Sequence, residues 1–149
     1  MTSLAIVDTE DVVRTWARTE THINAQVGTR VFFSIPLAYT QAIESGSPTP
    51  KTSWIVMKLV AENHETGDLG FQKPLVQFDC FGQTKAIAAT ASLAVQTAAR
   101  QLSYGQPVSV GSAVISWADV SQRRWLPDPT KNTPRYIVDL LFAIHGLEA

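Results

Sequence analysis

Residues 74–102 read PLVQFDCFGQTKAIAATASLAVQTAARQL. The fold turns on whether this stretch is a catalytic elbow, a metal site around Cys80 or a structural join. Its first half alternates with period two, as a half-buried strand does. Val76, Phe78 and Cys80 fall on one face, and Leu75, Gln77, Asp79 and Phe81 on the other. Pro74 suits a strand start. Gly82 breaks the strand, and Thr84 is a candidate N-cap. Residues 84–104 then read as a helix whose buried stripe is Ile87, Ala91, Ala94, Ala98 and Leu102, flanked by Leu93 and Val95. Alanine has the best helix propensity and lets such a helix lie close to a sheet. Gly105 and Pro107 stop it. Cys80, alternating with Val76 and Phe78, reads as a small buried hydrophobe. No cysteine-enzyme signature surrounds it, and no second Cys exists to build a thiolate metal site. The GQTK that follows lacks the upstream glycine of a phosphate-binding loop. The stretch is therefore a structural join.

Working outward to the N-terminal side, residues 9–26 read as a helix, with an apolar stripe at helical spacing through Val12, Val13, Trp16, Ala17 and Ile23 to Val27. Asp8 is the expected N-cap with Asp11 at N3, and Val7 and Val12 stand where a hydrophobic staple would place them. Glu10 and Asp11 sit in the first turn, where the helix dipole favours anions. Gly28 ends the helix. Residues 30–35, RVFFSI, read as a short strand stopped by Pro36. Residues 39–53, rich in Gly, Ser, Pro and charge, read as a mobile loop. Residues 53–61 form a strand with Trp54, Val56, Lys58 and Val60 on one side and Ile55, Met57, Leu59 and Ala61 on the other. A polar connection over 62–73 joins it to the strand of the opening stretch.

On the C-terminal side three strand-like runs follow the helix. They are PVSVGSAVISWADV with a break at Gly111, SQRRWLPD, and RYIVDLLFAIHG. The last is apolar on both faces and so is expected at the centre of the sheet. The order is α-β-β-β-α-β-β-β. Segregated runs of strands imply an α+β fold, an antiparallel sheet (a mixed one being possible) with two main helices packed on one face. The 149 residues point to a single domain over 1–149. A chain of this length buries roughly 68–70% of its unfolded surface, so it needs neither disulfide nor metal to fold.

Charged residues make up 17% of the chain against 45% hydrophobic, with a formal net charge of −1. No global basic field draws it to nucleic acid. The low charge content agrees with some surface being covered by a partner. The single Cys80 forms no intramolecular disulfide and fits a reducing compartment. The opening MTSLAIVDTEDVV has no basic n-region, and no apolar run reaches the ~18 residues of a membrane span. A soluble protein made in a cytoplasm is expected.

Few residues offer chemistry. Glu62, His64, Glu65 and Asp68 gather in ENHETGD, but their spacing matches neither a zinc helix nor a calcium loop, so a solvated hairpin tip is the plainer reading. His22, His64 and His145 are scattered over different elements. No nucleophile elbow is present. SQRRWLPDPTKNTPR is the one basic segment, with Arg123, Arg124, Lys131 and Arg135 against Asp128. Three readings stay open: an edge strand protected by charge, a contact surface in which Arg123, Arg124 and Trp125 supply interface-type residues, or weak non-specific binding to DNA. No cofactor, metal or catalytic set is expected.

The segment PLVQFDCFGQTKAIAATASLAV resembles the tail-terminator (tail-completion) proteins of long, non-contractile-tailed phages, those of actinobacterial phages most of all. In them a strand reading Val-Gln, an aromatic or aliphatic residue, Asp-Cys and an aromatic passes through a small residue, Thr and a basic residue into an Ala-rich helix. Here these are Val76, Gln77, Phe78, Asp79, Cys80, Phe81, Gly82, Thr84 and Lys85. GTRVFFSIP at 28–36, the chain length and the element order agree, so the resemblance spans nearly the whole chain. It implies a non-enzymatic virion protein that forms a ring, normally sixfold, on the head-proximal end of the tail tube. The ring ends tube polymerisation and offers a surface to the head connector. The implied partners are other copies, the major tail-tube protein and the connector or stopper, with DNA able to pass through the ring but no sequence-specific nucleic acid and no membrane. The implied place is the tail and neck region of a virion assembled in the host cytoplasm. On this reading the contact candidates are Arg123, Arg124, Trp125, Lys131 and Arg135, with Glu62, His64, Glu65 and Asp68. Another neck or head-completion protein, or a small host binding module using the basic 123–135 segment, are the alternatives.

Overall fold

A computed structural model of the chain describes residues 4–36, 53–64, 71–105, 107–129 and 132–147. In chain order its elements are β1 (Leu4–Ala5), α1 (Thr9–Thr19), α2 (Thr21–Val27), β2 (Val31–Phe32), β3 (Trp54–His64), β4 (Gln72–Phe81), α3 (Lys85–Tyr104), β5 (Val108–Val110), β6 (Ala113–Trp125) and β7 (Arg135–Leu147). The strands form one seven-stranded sheet in the order β2-β3-β4-β7-β6-β5, with β1 pairing β7 beyond the start of β4. All pairs are antiparallel except β2 with β3, so the sheet is mixed and the class is α+β. The strand apolar on both faces, β7, is central as its sequence implies. The 39–53 loop apart from Ser53, and the tip of the 62–73 connection, lie outside the described residues.

The strand-to-helix join is built as its residues dictate. Val76, Phe78 and Cys80 are fully buried against the helices. Thr84 caps α3, its Oγ1 accepting from the Ile87 N–H at 3.2 Å. Gly82 is required by space: a Cβ there would meet the Ala88 nitrogen at 2.5 Å and Ile87 Cγ2 at 2.8 Å. The expected stripe of α3 is buried at Ala91, Ala94, Ala98 and Leu102, and it extends to the Val95 side rather than the Leu93 side. Ala88, Ala91, Val95, Ala98, Ala99 and Leu102 are inside, Ile87 is half-buried and Leu93 is exposed. Small alanines on this face bring the helix axis close to β6 and β7.

The expected N-terminal helix is two helices. Its stripe is buried as expected, but the turn between Ala17 and Ile23 would have put Glu20, Thr21 and Asn24 on the core face. The chain instead opens at Glu20 (ψ 132°), whose carboxylate accepts from the Ile23 N–H at 2.9 Å and starts α2. Asp8 caps α1 through Asp11, and Gly28 closes α2 with a positive φ of 59°. The RVFFSI strand is shorter than its sequence suggests, with only Val31 and Phe32 in the sheet. A short β1 precedes α1, and the SQRRW run is the continuation of β6 rather than a separate strand.

The main core lies between the sheet and the helices. Trp16 meets Phe142 edge-on at 5.5 Å, and Phe78 tilts against Phe142 at 6.4 Å. The opposite sheet face has a small cluster of its own, Trp54, Val56 and Phe81, with Trp54 and Phe81 stacked at 5.2 Å.

Candidate interaction surfaces

Alternation and register decide where each charged side chain points. Among the described residues three β-bulges lie on two strands: at Val60 in β3, and at Ser116 and Ser121 in β6. A bulge adds one residue and so swaps the faces of everything after it. Past Val60, Ala61 leaves the side of Met57 and Leu59, and Glu62 moves onto the helix side, correcting the expected grouping of Ala61 with Leu59. There Glu62 Oε1 accepts from Thr9 Oγ1 at 3.1 Å and from Gln72 Nε2 at 2.7 Å. The buried Gln72 carboxamide also accepts from the Val7 N–H at 2.8 Å and donates to the Val7 carbonyl at 3.0 Å. Glu62 and Gln72 thus clamp the entry to α1 onto the start of β4.

Past Ser121, Val120 and Arg123 share the helix side while Gln122 and Arg124 face the other way. The contiguous Arg123–Arg124–Trp125 is therefore split between two faces. On the helix side Arg123 Nε donates to Ser92 Oγ of α3 at 2.8 Å, and its guanidinium lies over the Tyr136 ring at 4.1 Å. Trp125 packs on Tyr136 at 5.1 Å, and Lys85 of α3 lies over the Trp125 ring at 4.7 Å. Lys85, Arg123, Trp125 and Tyr136 thus make one cationic and aromatic patch. Neither Lys85 nor Arg123 has an ion-pair partner among the described residues. Tyr136 was not a sequence candidate, because only the β6–β7 register brings it opposite Trp125.

On the other face Arg124 and Arg135 are each held by a carboxylate. Arg135 Nη1 is 3.5 Å from Asp79 Oδ2, which Lys58 Nζ also approaches at 3.2 Å, and Gln77 Nε2 donates to Asp79 Oδ1 at 2.7 Å. Arg124 Nη1 is 3.2 Å from Asp139 Oδ2, which also accepts from Gln122 at 2.8 Å. Asp139 Oδ1 is buried without a hydrogen-bond partner among the described residues. Lys131, Glu65 and Asp68 lie outside the described residues. His64 is placed only by its backbone, opposite Gln72. The nine contact candidates therefore do not form one patch among the described residues.

At the far end of the helix side, a groove of about 360 Å³ opens between the start of α1 and the β5–β6 turn. Val7, Val12, Val110 and Ala113 line it, and the exposed Asp8 and Asp11 stand on its rim. A second groove, of about 530 Å³, runs between α3 and β6 beside Leu93, Arg100 and Asp119. Among the described residues Cys80, His22 and His145 lie on separate elements. Cys80 lies in the core with its thiol 3.7 Å from the Phe78 carbonyl. Burial, and next the neighbouring Asp79 charge, push its pKa well above the ordinary thiol value. His22 pairs with Glu20 at 2.9 Å, and His145 stands edge-on to Phe71 on a different element. No helix among the described residues is long and apolar enough to cross a membrane.

The chain shares its fold with a virion protein. The match is to a chain of the virion of a native gene transfer agent particle, with 15% identity and a TM-score of 0.57. It covers 91% of this chain and 92% of the virion chain. No family model matches the sequence, and no curated protein matches it. At that identity the likeness shows the fold alone, and it extends over almost the full length of both chains.

Proposed function

We propose that this protein is a structural component of a phage virion: a tail terminator that forms a ring on the head-proximal end of the tail tube, ends its polymerisation and presents a surface to the head connector. One observation carries the reading. The fold matches a virion chain over 91% of this chain, and the β4–α3 join on which the terminator resemblance rests is scaffold, with Cys80 sealed in the core and Gly82 fixed by space. With the join serving as scaffold, the surfaces left to act are those that meet other proteins. Subunits of a closed ring meet through two different patches, and the helix side has two of contrasting character at its ends. On this reading the partners are further copies in a sixfold ring, the tube protein and the connector, and no reaction is catalysed.

The test is genetic and visual. Removing the protein from the phage that encodes it is expected to leave overlong tails, or tails that fail to join heads, in electron micrographs. Purified protein added to tail tubes is expected at one end only. Normal, joined tails in its absence would reject the proposal. A protein found in the neck but not on tubes would move it to the head-completion alternative.

A further inference from the structure

The two ends of the helix side carry opposite charge that no ion pair neutralises among the described residues. At one end are Lys85 over Trp125 and Arg123 over Tyr136. Trp125 keeps 38% of its surface exposed there. At the other end is the groove floored by Val7, Val12, Val110 and Ala113 and rimmed by Asp8 and Asp11, with Glu10 in the same helical turn. No ion pair engages Asp8, Glu10, Asp11, Lys85 or Arg123 among the described residues. β6 links the two ends, with Ala113 lining the groove and Trp125 forming the patch, so its 13 residues at ~3.3 Å each hold them roughly 40 Å apart. They cannot meet within one chain.

We infer that the Lys85–Arg123–Trp125 end of one copy docks into the Asp8–Asp11 groove of the next. An apolar knob flanked by cations fits a hole with an apolar floor and an anionic rim, and burying a Trp among Arg and Lys is how interface hot spots are commonly made. Charge complementarity of this kind fixes register and speeds encounter. Because knob and hole are different surfaces, each copy keeps one of each free until a ring closes. The inference rests on the ring reading above for closure, but the contact itself can be tested without phage or tube.

The test uses the full chain and native mass spectrometry or sedimentation at low salt. Lys85→Glu and Asp11→Lys both change exposed side chains. Each alone is expected to weaken self-association about tenfold or more. Mixed in equal amounts they are expected to return to within about threefold of wild type, since each restores a complementary pair for the other; a folding defect could not be rescued by mixing. Adding Arg123→Glu to the first variant should weaken self-association further and make rescue by Asp11→Lys less complete, since the groove gains one cation against two anions. Self-association that neither change moves, or a mixture that stays apart, overturns this contact and leaves a ring built another way. A wild-type chain that is monomeric in solution overturns the contact too, while the ring reading is then judged on tube ends. Salt-sensitive binding of a duplex DNA probe by the basic end without self-association would assign that end to nucleic acid instead.

Discussion

The two faces of β4 and β7 share the same backbones and hold together by opposite means. On the helix side Val76, Phe78 and Cys80 meet Val138, Leu140, Phe142 and Ile144, all with 0% exposure. On the other side Gln77 and Asp79 meet Ile137 and Asp139 across the same ladder, and the carboxylates are bridged by Lys58, Arg124 and Arg135. One face gains stability by removing apolar surface from water, about 1.5–3 kcal/mol for each large side chain. The other depends on charge pairs, whose value rises and falls with how well water is kept out. Damage to the first face should therefore be large and insensitive to salt. Damage to the second should be graded by burial.

The largest effect is expected from Phe142→Ala. Phe142 touches both Trp16 of α1 and Phe78 of β4, so its loss opens a cavity where helix and sheet meet. Urea unfolding should show a loss of about 3–5 kcal/mol. A loss under about 1 kcal/mol would mean that the helices are not held by this face. Next comes Asp79→Ala. The Asp79 side chain is only 2% exposed, and its removal leaves the largely buried Arg135 without its carboxylate. Lys58, with its side chain 53% exposed, is rehydrated at little cost. About 2–3 kcal/mol is expected, below the cost of breaking a wholly buried pair.

These contrasts were partly legible in the sequence. Period-two alternation over 74–81 is a local property, and it sorted Val76, Phe78 and Cys80 from Gln77 and Asp79 correctly. The helix after Gly82 was legible through its cap and its alanines, and Ala91, Ala94, Ala98 and Leu102 of the expected stripe are buried, while Leu93 beside it is exposed. What alternation could not show was any place where an extra residue shifts the phase. The bulges at Val60, Ser116 and Ser121 depend on the partner strands, not on β3 or β6 alone. Counting by twos from Ala118 puts Arg124 on the helix side; the Ser121 bulge sends it to Asp139 and gives Arg123 to Ser92 and Tyr136. For the same reason Glu62 reads as part of a hairpin tip but serves as a clamp on Thr9 and Gln72. The division of α1 from α2 was missed because polar residues within one turn weigh little against a long apolar stripe. The Lys85–Trp125 stack joins residues forty positions apart, and only the packing of α3 on β6 reveals it.

Cys80 sharpens the same contrast through pH. Its thiol is neutral in the folded chain because burial raises its pKa. In the unfolded chain it ionises near about 8.5. Above that value the folded state holds the proton that the unfolded state releases, so stability falls as pH rises, by up to about 1.4 kcal/mol per pH unit. Cys80→Ala should flatten this alkaline slope while lowering stability at pH 7, and the native thiol should resist thiol reagents until the chain unfolds. A wild-type slope unchanged by the substitution would mean that water reaches the thiol.

The smallest effect is expected at Arg124. Its pair with Asp139 has nearly the same separation as the pair of Lys58 with Asp79, 3.2 Å in each case. Geometry alone would therefore rank Asp79 and Asp139 alike. Burial does not. The Arg124 side chain is 38% exposed, water can replace it, and Gln122 remains on the same Asp139 oxygen when it is gone. Arg124→Ala should cost no more than about 1 kcal/mol, and less as salt is raised. A double-mutant cycle with Gln122→Ala separates the two donors: the second loss should exceed the first, because only then is a carboxylate with one unpartnered buried oxygen left without any donor on the other. If Arg124→Ala proved as costly as Asp79→Ala, this face would be sealed from water more fully than its exposed side chains indicate. A surface covering it would then have to be sought.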